Sequence, residues 1–421
     1  MMTDKITVGI VGAGPSGIMA ALEAARRGTR AILFEANALV GRKLLVTGNG
    51  RCNISNAHAT ASCYTCADPS FIETALERFG HRRTLDRLAE MGILTYATDD
   101  GWCYPLSNSA ATVAATLTTA LDLAGVEIHL NTRIADLRRE RGGFALDVGD
   151  GRRPHRVDRL VLASGGMAYP ALGSRGDLYP VLERMGHTIV APRPALAPIV
   201  ADVRRLHKLQ GVRMDLGLTL YEGKGDRERV LGHTVGNAIF TQFGFSGPAA
   251  MDLSHLISTR PGADLTLEID LLPHYRREMQ GLLERMAGRR DARRLPLRVA
   301  LGAALPEKVP PVIMTLAGLS DDTSLADLPR DELSTMLERL TRLRVAVKGT
   351  HGFEFAQVST GGVPVGEVDP HTMASRIVPG LYLAGEVLDV VGPCGGYNLQ
   401  FAWTSGYLAG AGAAGTPPLK K

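Results

Sequence analysis

The chain has 421 residues, 45% hydrophobic and 21% charged, a composition that supports a large buried core and excludes a disordered polar chain. Length alone suggests roughly three domain-sized units at about 150 residues each. The formal net charge of +4 is too small to mark a dedicated nucleic-acid protein, although it leaves local basic patches open.

Ile6–Val11 is a β-branched run, Gly12–Gly17 a glycine-rich turn, and Ser16–Arg27 carries Ile18, Ala21, Leu22 and Ala25 at helical spacing. Gly28 ends that helix and Arg30–Glu35 reads as a second buried strand. Residues 5–35 therefore form one βαβ unit, and a doubly wound α/β sheet is the expected fold. Ala36–Asn56 has neither period and reads as a long loop, a length usually kept for function. Helices are predicted over Phe71–Met91 and Ala110–Ala124, and Phe144–Val148 and Arg156–Ala163 as later strands of the same layer. Past Pro192, Pro194 and Pro198 the pattern turns to antiparallel strands at Leu216–Tyr221 and Val230–Val235. Charged amphipathic helices follow at Tyr275–Arg290 and Asp331–Leu343. From Ala356 short strands, glycine turns and a last helix return, so the two ends of the chain are expected to share one domain around an insertion.

Five cysteines, an odd number, fit a reducing cytoplasm better than a disulfide framework, and Met1–Lys5 running straight into a strand gives no expectation of a secretory leader. The one long charge-free stretch, Val390–Leu419, is broken by Pro393, Asn398, Gln400, Thr404, Ser405 and repeated glycines. No membrane span is predicted.

Gly12-Ala13-Gly14-Pro15-Ser16-Gly17 is G-x-G-x-x-G placed between a strand and a helix, with Glu35 eighteen residues beyond Gly17 at the end of the next strand. That context makes it a dinucleotide fingerprint. Gly12 permits the turn, Gly14 lets backbone approach a pyrophosphate, and Gly17 lets helix pack on strand, while the helix N-terminus attracts phosphate. Pro15 suits a first helical position, and Glu35 would accept hydrogen bonds from ribose hydroxyls. The fingerprint does not choose between NAD and FAD. Gly380–Glu386 is a short strand ending in glycine and an acid, suited to the ribityl hydroxyls of a flavin. Gly392–Gly396 leads into a helix-like run from Tyr397 whose first amides could face the N1/C2=O edge of a reduced ring. The same segment also reads as a buried helix packed on the sheet.

Gly41–Asn56 (GRKLLVTGNGRCNISN), Leu160–Gly166 (LVLASGG), Phe240–Pro248 (FTQFGFSGP), Gln357–Val363 (QVSTGGV) and Gly380–Asp389 with Gly395–Gln400 (GGYNLQ) carry a wider resemblance. Over nearly its whole length the chain resembles a bacterial flavoprotein family variously labelled NAD(P)/FAD-dependent oxidoreductases or aminoacetone-oxidase-type FAD enzymes. The resemblance implies a two-segment Rossmann-type FAD-binding domain (1–190 and 351–421). It also implies an inserted β-barrel-like subdomain (191–273) and a small helical subdomain (274–350). Gly12, Gly14, Gly17, Glu35, Arg42, Lys43, Gly385 and Glu386 match positions expected near FAD. Ala13, Pro15, Ser16, Ala36, Gly50, Arg51, Asn53, Ser164, Gly165, Gly395, Gly396, Tyr397, Asn398 and Leu399 complete the candidate cofactor-binding set. Two departures bear on the substrate side: Gln242 stands where the pattern has His, and Pro393-Cys394 differ from the usual residues before GGYN.

The expected function is hydride exchange between flavin N5 and a small organic substrate. With a single fingerprint, NAD(P)H would bind transiently or not at all, and spacing assigns no catalytic acid or base. Cys63-x-x-Cys66 could be a redox dithiol or, with His58 and Cys52, part of a metal site; two solvent-side cysteines are the plainer reading, and no metal is expected. His274–Arg298 holds eight arginines against three acids, which could dock RNA phosphates as in a flavin-dependent RNA-modifying enzyme, or form a solvated helix face. A non-catalytic flavin sensor is the remaining alternative. Trp102, Cys103 and Tyr104 read as buried structure.

Overall fold

The computed structural model describes residues 5–149, 151, 153–287 and 295–415. They fold as two compact units: one from the chain up to Arg193 and again from Gln357, the other from Pro194–Ala356.

In the first unit, strands β1 (Thr7–Val11), β2 (Arg30–Phe34), β3 (Glu127–His129), β4 (Arg159–Leu162) and β5 (Leu381–Leu383) make one sheet in the order β5-β4-β1-β2-β3. Every neighbouring pair is parallel. Val8, Ile10, Leu33, Phe34, Leu160, Val161 and Leu162 are buried as runs rather than in alternation, as expected of strands covered on both faces. The fingerprint helix, Pro15–Arg26, crosses from β1 to β2, and the terminal helix, Tyr397–Ala413, packs on it. Their closeness depends on two glycines: a Cβ at Gly406 would lie 2.2 Å from the Ser16 carbonyl oxygen, and one at Gly410 2.4 Å from that of Ala20.

Three local expectations are corrected. The helix expected over Phe71–Met91 is two helices, Pro69–Arg78 and His81–Glu90; Phe79 leaves helical geometry between them and Gly80 caps the second. The strand expected at Phe144–Val148 is present as Gly143–Asp147, but it belongs to a separate antiparallel sheet with Asp136–Glu140 and His155–Val157. Its burial period identifies a strand and carries no information about the partner. The Ala36–Asn56 segment contains a 3-10 stretch, Leu44–Gly50, kinked at Thr47, Gly48 and Asn49. Ser55–Asn56 then pairs with Trp102 and Cys103 of the Trp102–Pro105 strand.

The second unit is a closed six-stranded barrel, in the order Ile199–Ala201, Gly244–Ser246, Arg229–Phe240, Arg213–Glu222, Leu265–Asp270 and Leu343–Thr350. Leu216, Leu218, Leu220, Leu267 and Ile269 alternate into its core. The helices Arg276–Ala287, Leu297–Leu301, Val309–Ala317 and Arg330–Leu340 add Leu283, Leu301, Ile313 and Leu337 to the same cluster. A division at 273/274 therefore does not follow the packing, because the barrel's closing strand lies beyond the helices and both share one core. Among the described residues no helix is long and apolar enough to cross a membrane.

Candidate dinucleotide site

Parallel strands end on the same edge, so the turns after β1, β4 and β5 are neighbours although they come from positions 12, 163 and 384 of the chain. The chain leaves β1 toward β2 on one side, with β4 on the other, and this reversal is where open α/β sheets bind ligands. Backbone bonds fix the three turns: Gly12 N donates to Phe34 O (2.8 Å), Ala163 N to Val11 O (2.9 Å) and Ala384 N to Leu162 O (3.0 Å).

The three fingerprint glycines have different causes. Gly12 has φ +102°, and a Cβ there would lie 2.3 Å from the Ala163 carbonyl oxygen. A Cβ at Gly17 would lie 1.7 Å from the Gly12 carbonyl oxygen, so both are demanded by the protein's own packing. Gly14 has an ordinary φ of −77°, caps the fingerprint helix without any side-chain hydrogen bond, and a Cβ there would meet nothing within 4 Å. The space beside Gly14 therefore opens at an uncapped helix N-terminus, whose first amides lack intrahelical partners. A phosphate fits those donors and that space.

Glu35, at the end of β2, is buried and already engaged: Oε2 accepts from Ala13 N (2.8 Å), and Oε1 accepts from Asn37 N (2.8 Å) and Asn37 Nδ2 (2.6 Å). Two carboxylate oxygens offer about four acceptor positions, which leaves one for a ribose hydroxyl. Asn37 also accepts from Arg42 Nη1 (2.7 Å) and donates to Leu172 O (3.2 Å), tying the loop after β4 to the end of β2. Sequence reasoning passed over Asn37, and its place two residues after the acid was the available signal. Ala36 is half-buried between them, and Ser164 and Gly165, the latter at φ +74°, are half-buried at the end of β4.

Lys43 and Glu386, both expected near the cofactor, meet directly: Nζ lies 2.7 Å from Oε2. The other carboxylate oxygen accepts from Ser359 N (2.9 Å) and Ser359 Oγ (3.0 Å), so Glu386, like Glu35, is pinned in place with about one acceptor position left. Gly385 is required beside it, because a Cβ would lie 2.5 Å from Ser16 Oγ, and its amide donates to Ser405 Oγ (2.9 Å) on the terminal helix.

The terminal helix starts at the predicted glycine cluster. Gly395 (φ +110°) and Gly396 (φ +98°) are both left-handed, Gly396 is the N-cap, and no side chain caps it. Cβ atoms would strike Trp102 Nε1 at 2.7 Å and the Ser55 carbonyl oxygen at 2.3 Å. Asn56 Nδ2 donates to Gly395 O (2.9 Å), and the buried Asn53 amide, turned to suit its surroundings, donates to Cys103 O (3.2 Å) and Ser55 O (3.0 Å). Asn398 accepts from Gly392 N (2.9 Å) and donates to Gly392 O (2.7 Å), so it staples its own loop. The Tyr397 carbonyl accepts from Tyr64 OH (2.9 Å), and Leu399 packs against the main core. Arg51 lies over the Tyr104 ring at 4.3 Å, next to exposed Gly50 at φ +83°.

None of the five cysteines is in a disulfide. Cys52 is buried, and burial pushes its thiol up to about 11, the opposite of an activated thiolate. Among the described residues no cluster could hold a metal ion. Arg289, Arg290, Arg293 and Arg294, the centre of the basic run, lie outside the described residues.

The fold defines a two-segment Rossmann-type protein carrying a closed barrel. The chain belongs to the HI0933-like protein Rossmann domain family, whose match spans residues 6–412. It is 36% identical over 417 residues to a protein of Clostridium scindens named "3-dehydro-bile acid delta(4,6)-reductase", covering 97% of this chain and 99% of the relative. It is 31% identical to the "Ribosomal RNA dihydrouridine synthase" of Escherichia coli, covering 94% of this chain and 95% of that one. In fold it is similar to a 3-ketosteroid delta1-dehydrogenase of Sterolibacterium denitrificans solved in complex with 1,4-androstadiene-3,17-dione. The TM-score is 0.54 at 13% identity, over 98% of this chain and 100% of that one.

Proposed function

We propose that this FAD-dependent oxidoreductase saturates a carbon–carbon double bond conjugated to a carbonyl group in a polycyclic, largely apolar small molecule. The observation that carries the reading is the near full-length likeness to the Clostridium scindens reductase, whose name describes double bonds in conjugation with a 3-oxo group. Dihydrouridine formation, named for the Escherichia coli relative, is saturation of another double bond conjugated to a carbonyl, so one chemistry accounts for both names.

The residues of the first unit fit FAD. The open space at Gly14 and the uncapped fingerprint helix suit the pyrophosphate, and Glu35 suits a ribose. FAD bound there and reduced by an electron pair from NADH or NADPH, the proposed donor, would supply a hydride to the β-carbon of the conjugated system, with a proton from solvent adding at the α-carbon. The Gly395–Gly396 turn aims the N-terminal end of a long helix at whatever lies before it, and that positive end favours negative charge on a reduced ring. Lys43, held by Glu386, adds a fixed positive charge that its partner largely balances.

The test is anaerobic. The purified holoprotein is titrated with NADH and NADPH, then given a 3-oxo-4-ene bile acid, and the product is read by mass spectrometry. Gain of two hydrogens by the acid is expected; a reduced holoprotein that leaves the double bond untouched would refute the reading.

The second relative favours an alternative in which uridine in ribosomal RNA is the substrate. Several described arginines of the barrel unit are already matched by carboxylates, Arg204 with Asp202, Arg229 with Glu222, and Arg344 with Glu228 and Glu268, which leaves less basic surface for phosphates. Salt-dependent RNA binding that weakens when Arg289, Arg290, Arg293 and Arg294 are neutralised would support it.

A further inference from the structure

Beside the glycine turn of the terminal helix, and within the same unit, lies a small sheet whose side chains have no part in the reading above. Trp102–Pro105 is its middle strand, between Ser55–Asn56 and Thr95–Ala97. Successive side chains of a strand point to opposite faces, so Cys103 is buried on one face and Trp102 and Tyr104 share the other. Register puts Asn56 opposite Trp102 and Tyr96 opposite Tyr104. The result is a row of rings, with centroids 6.5 Å apart from Trp102 to Tyr104 and 6.0 Å from Tyr104 to Tyr96. The row starts at the turn: a Cβ on Gly395 would lie 2.7 Å from Trp102 Nε1, and Asn56 Nδ2 donates to Gly395 O (2.9 Å).

Arg51 is laid on this row. Its guanidinium lies 4.3 Å over the Tyr104 ring, Nη2 donates to Tyr104 OH (3.2 Å), and Nε donates to Gly48 O (3.3 Å). Two of its five N–H groups are used, which leaves three for an anion. Among the described residues no carboxylate is paired with it. Tyr104 is buried underneath, while Arg51 and Tyr96 are exposed. The loop that presents Arg51 is held in costly geometry, with Gly48, Asn49, Gly50 and Cys52 left-handed at φ +57°, +56°, +83° and +64°. Asn49 and Cys52 have side chains, and such residues gather at ligand sites, where the surrounding structure imposes them.

We infer that Arg51 holds the carboxylate of an acidic substrate whose flat apolar body lies on Trp102 and Tyr96. The assignment rests on the enone-reductase reading above and narrows its substrate to acids, and it moves Arg51 from the cofactor to the substrate. A guanidinium fixed by a ring offers its remaining N–H groups in one plane, which matches a carboxylate, and the flanking aromatic faces suit an apolar body. In a 3-oxo-4-ene bile acid the enone and the carboxylate stand at opposite ends, so a molecule lying along the row has its enone toward the Gly395 turn and its acid at Arg51.

The test gives the FAD-loaded protein 3-oxochol-4-en-24-oic acid and its methyl ester and compares kcat/KM. The wild-type protein is expected to prefer the acid about tenfold, Arg51→Gln to erase that preference, and Arg51→Lys, which keeps the charge, to retain most of it. Damaged packing would lower both rates and leave their ratio alone. Tyr96→Ala removes an exposed ring and is expected to raise KM for acid and ester alike, about fivefold; an unchanged KM for both would overturn the placement of the apolar body. Loss of FAD from Arg51→Gln, or a slowing confined to flavin reduction by NADH or NADPH, would give Arg51 to the cofactor or to the donor and overturn the assignment. If the wild-type protein reduces acid and ester equally well, or Arg51→Gln keeps the preference, the assignment falls and the enone-reductase reading stands. If the wild-type protein reduces neither compound, that reading falls and takes the assignment with it.

Discussion

Gly12 and Gly14 stand two residues apart in one fingerprint and make opposite predictions. Gly12 is held at φ +102° against the Ala163 carbonyl, so Gly12→Ala is expected to lower stability by about 1–3 kcal/mol, read as a fall in Tm. The Cβ of Gly14→Val enters open space, so the protein should purify colourless, without FAD, and melt at nearly the Tm of FAD-free wild type. Stoichiometric FAD in the Gly14 variant would overturn the pyrophosphate placement. The sequence could supply the fingerprint because its glycines and Glu35 are local. It could not supply the state of Glu386, whose partner Lys43 is 343 positions away and which, with three acceptor positions taken, keeps about one for a ribityl hydroxyl.

At the scale of elements, the terminal helix is seated by its glycines rather than by an apolar stripe. Gly410→Leu would drive a side chain into the Ala20 backbone at the helix contact and is expected to cost roughly 1–3 kcal/mol or more, measured by denaturant unfolding. A second element contact is polar. His187, buried, lies between Glu367 Oε2 (2.7 Å, from Nδ1) and Ser375 Oγ (2.9 Å, from Nε2), joining the end of one helix to the loops before β5. Burial pushes the Glu367 carboxyl up, but hydrogen bonds from Thr188 and His187 outweigh it and hold it below the ordinary 4.5. A depressed carboxylate contributes stability that is complete above its unfolded value and is lost as pH falls through its folded one. The stability difference between wild type and Glu367→Gln should therefore shrink below about pH 4.5; a difference constant with pH would count against the clasp.

For the molecule as a whole, each unit has its own hydrophobic cluster, while the parallel sheet needs both ends of the chain. Ending the chain at Ala356 removes β5 and the terminal helix, and the remainder is expected to unfold and lose FAD. Replacing Pro194–Ala356 by a short linker should leave a first unit that retains FAD by absorbance and reduces no enone. Loss of FAD from that excised form would show that the cofactor site is not built by the first unit alone.

The sequence by itself determined the βαβ start, the fingerprint, the insertion and the glycine entry to the last helix, because each is written in residues close along the chain and in the periods that helices and strands impose. Only tertiary structure decided that residues 143–147 leave the parallel layer, that a strand at 343–350 closes the barrel, that Lys43 is paired with Glu386, and that the Phe243 ring meets the His351 ring. Those outcomes depend on which strand edges and side chains come together across hundreds of residues, and local propensity carries no record of such partners.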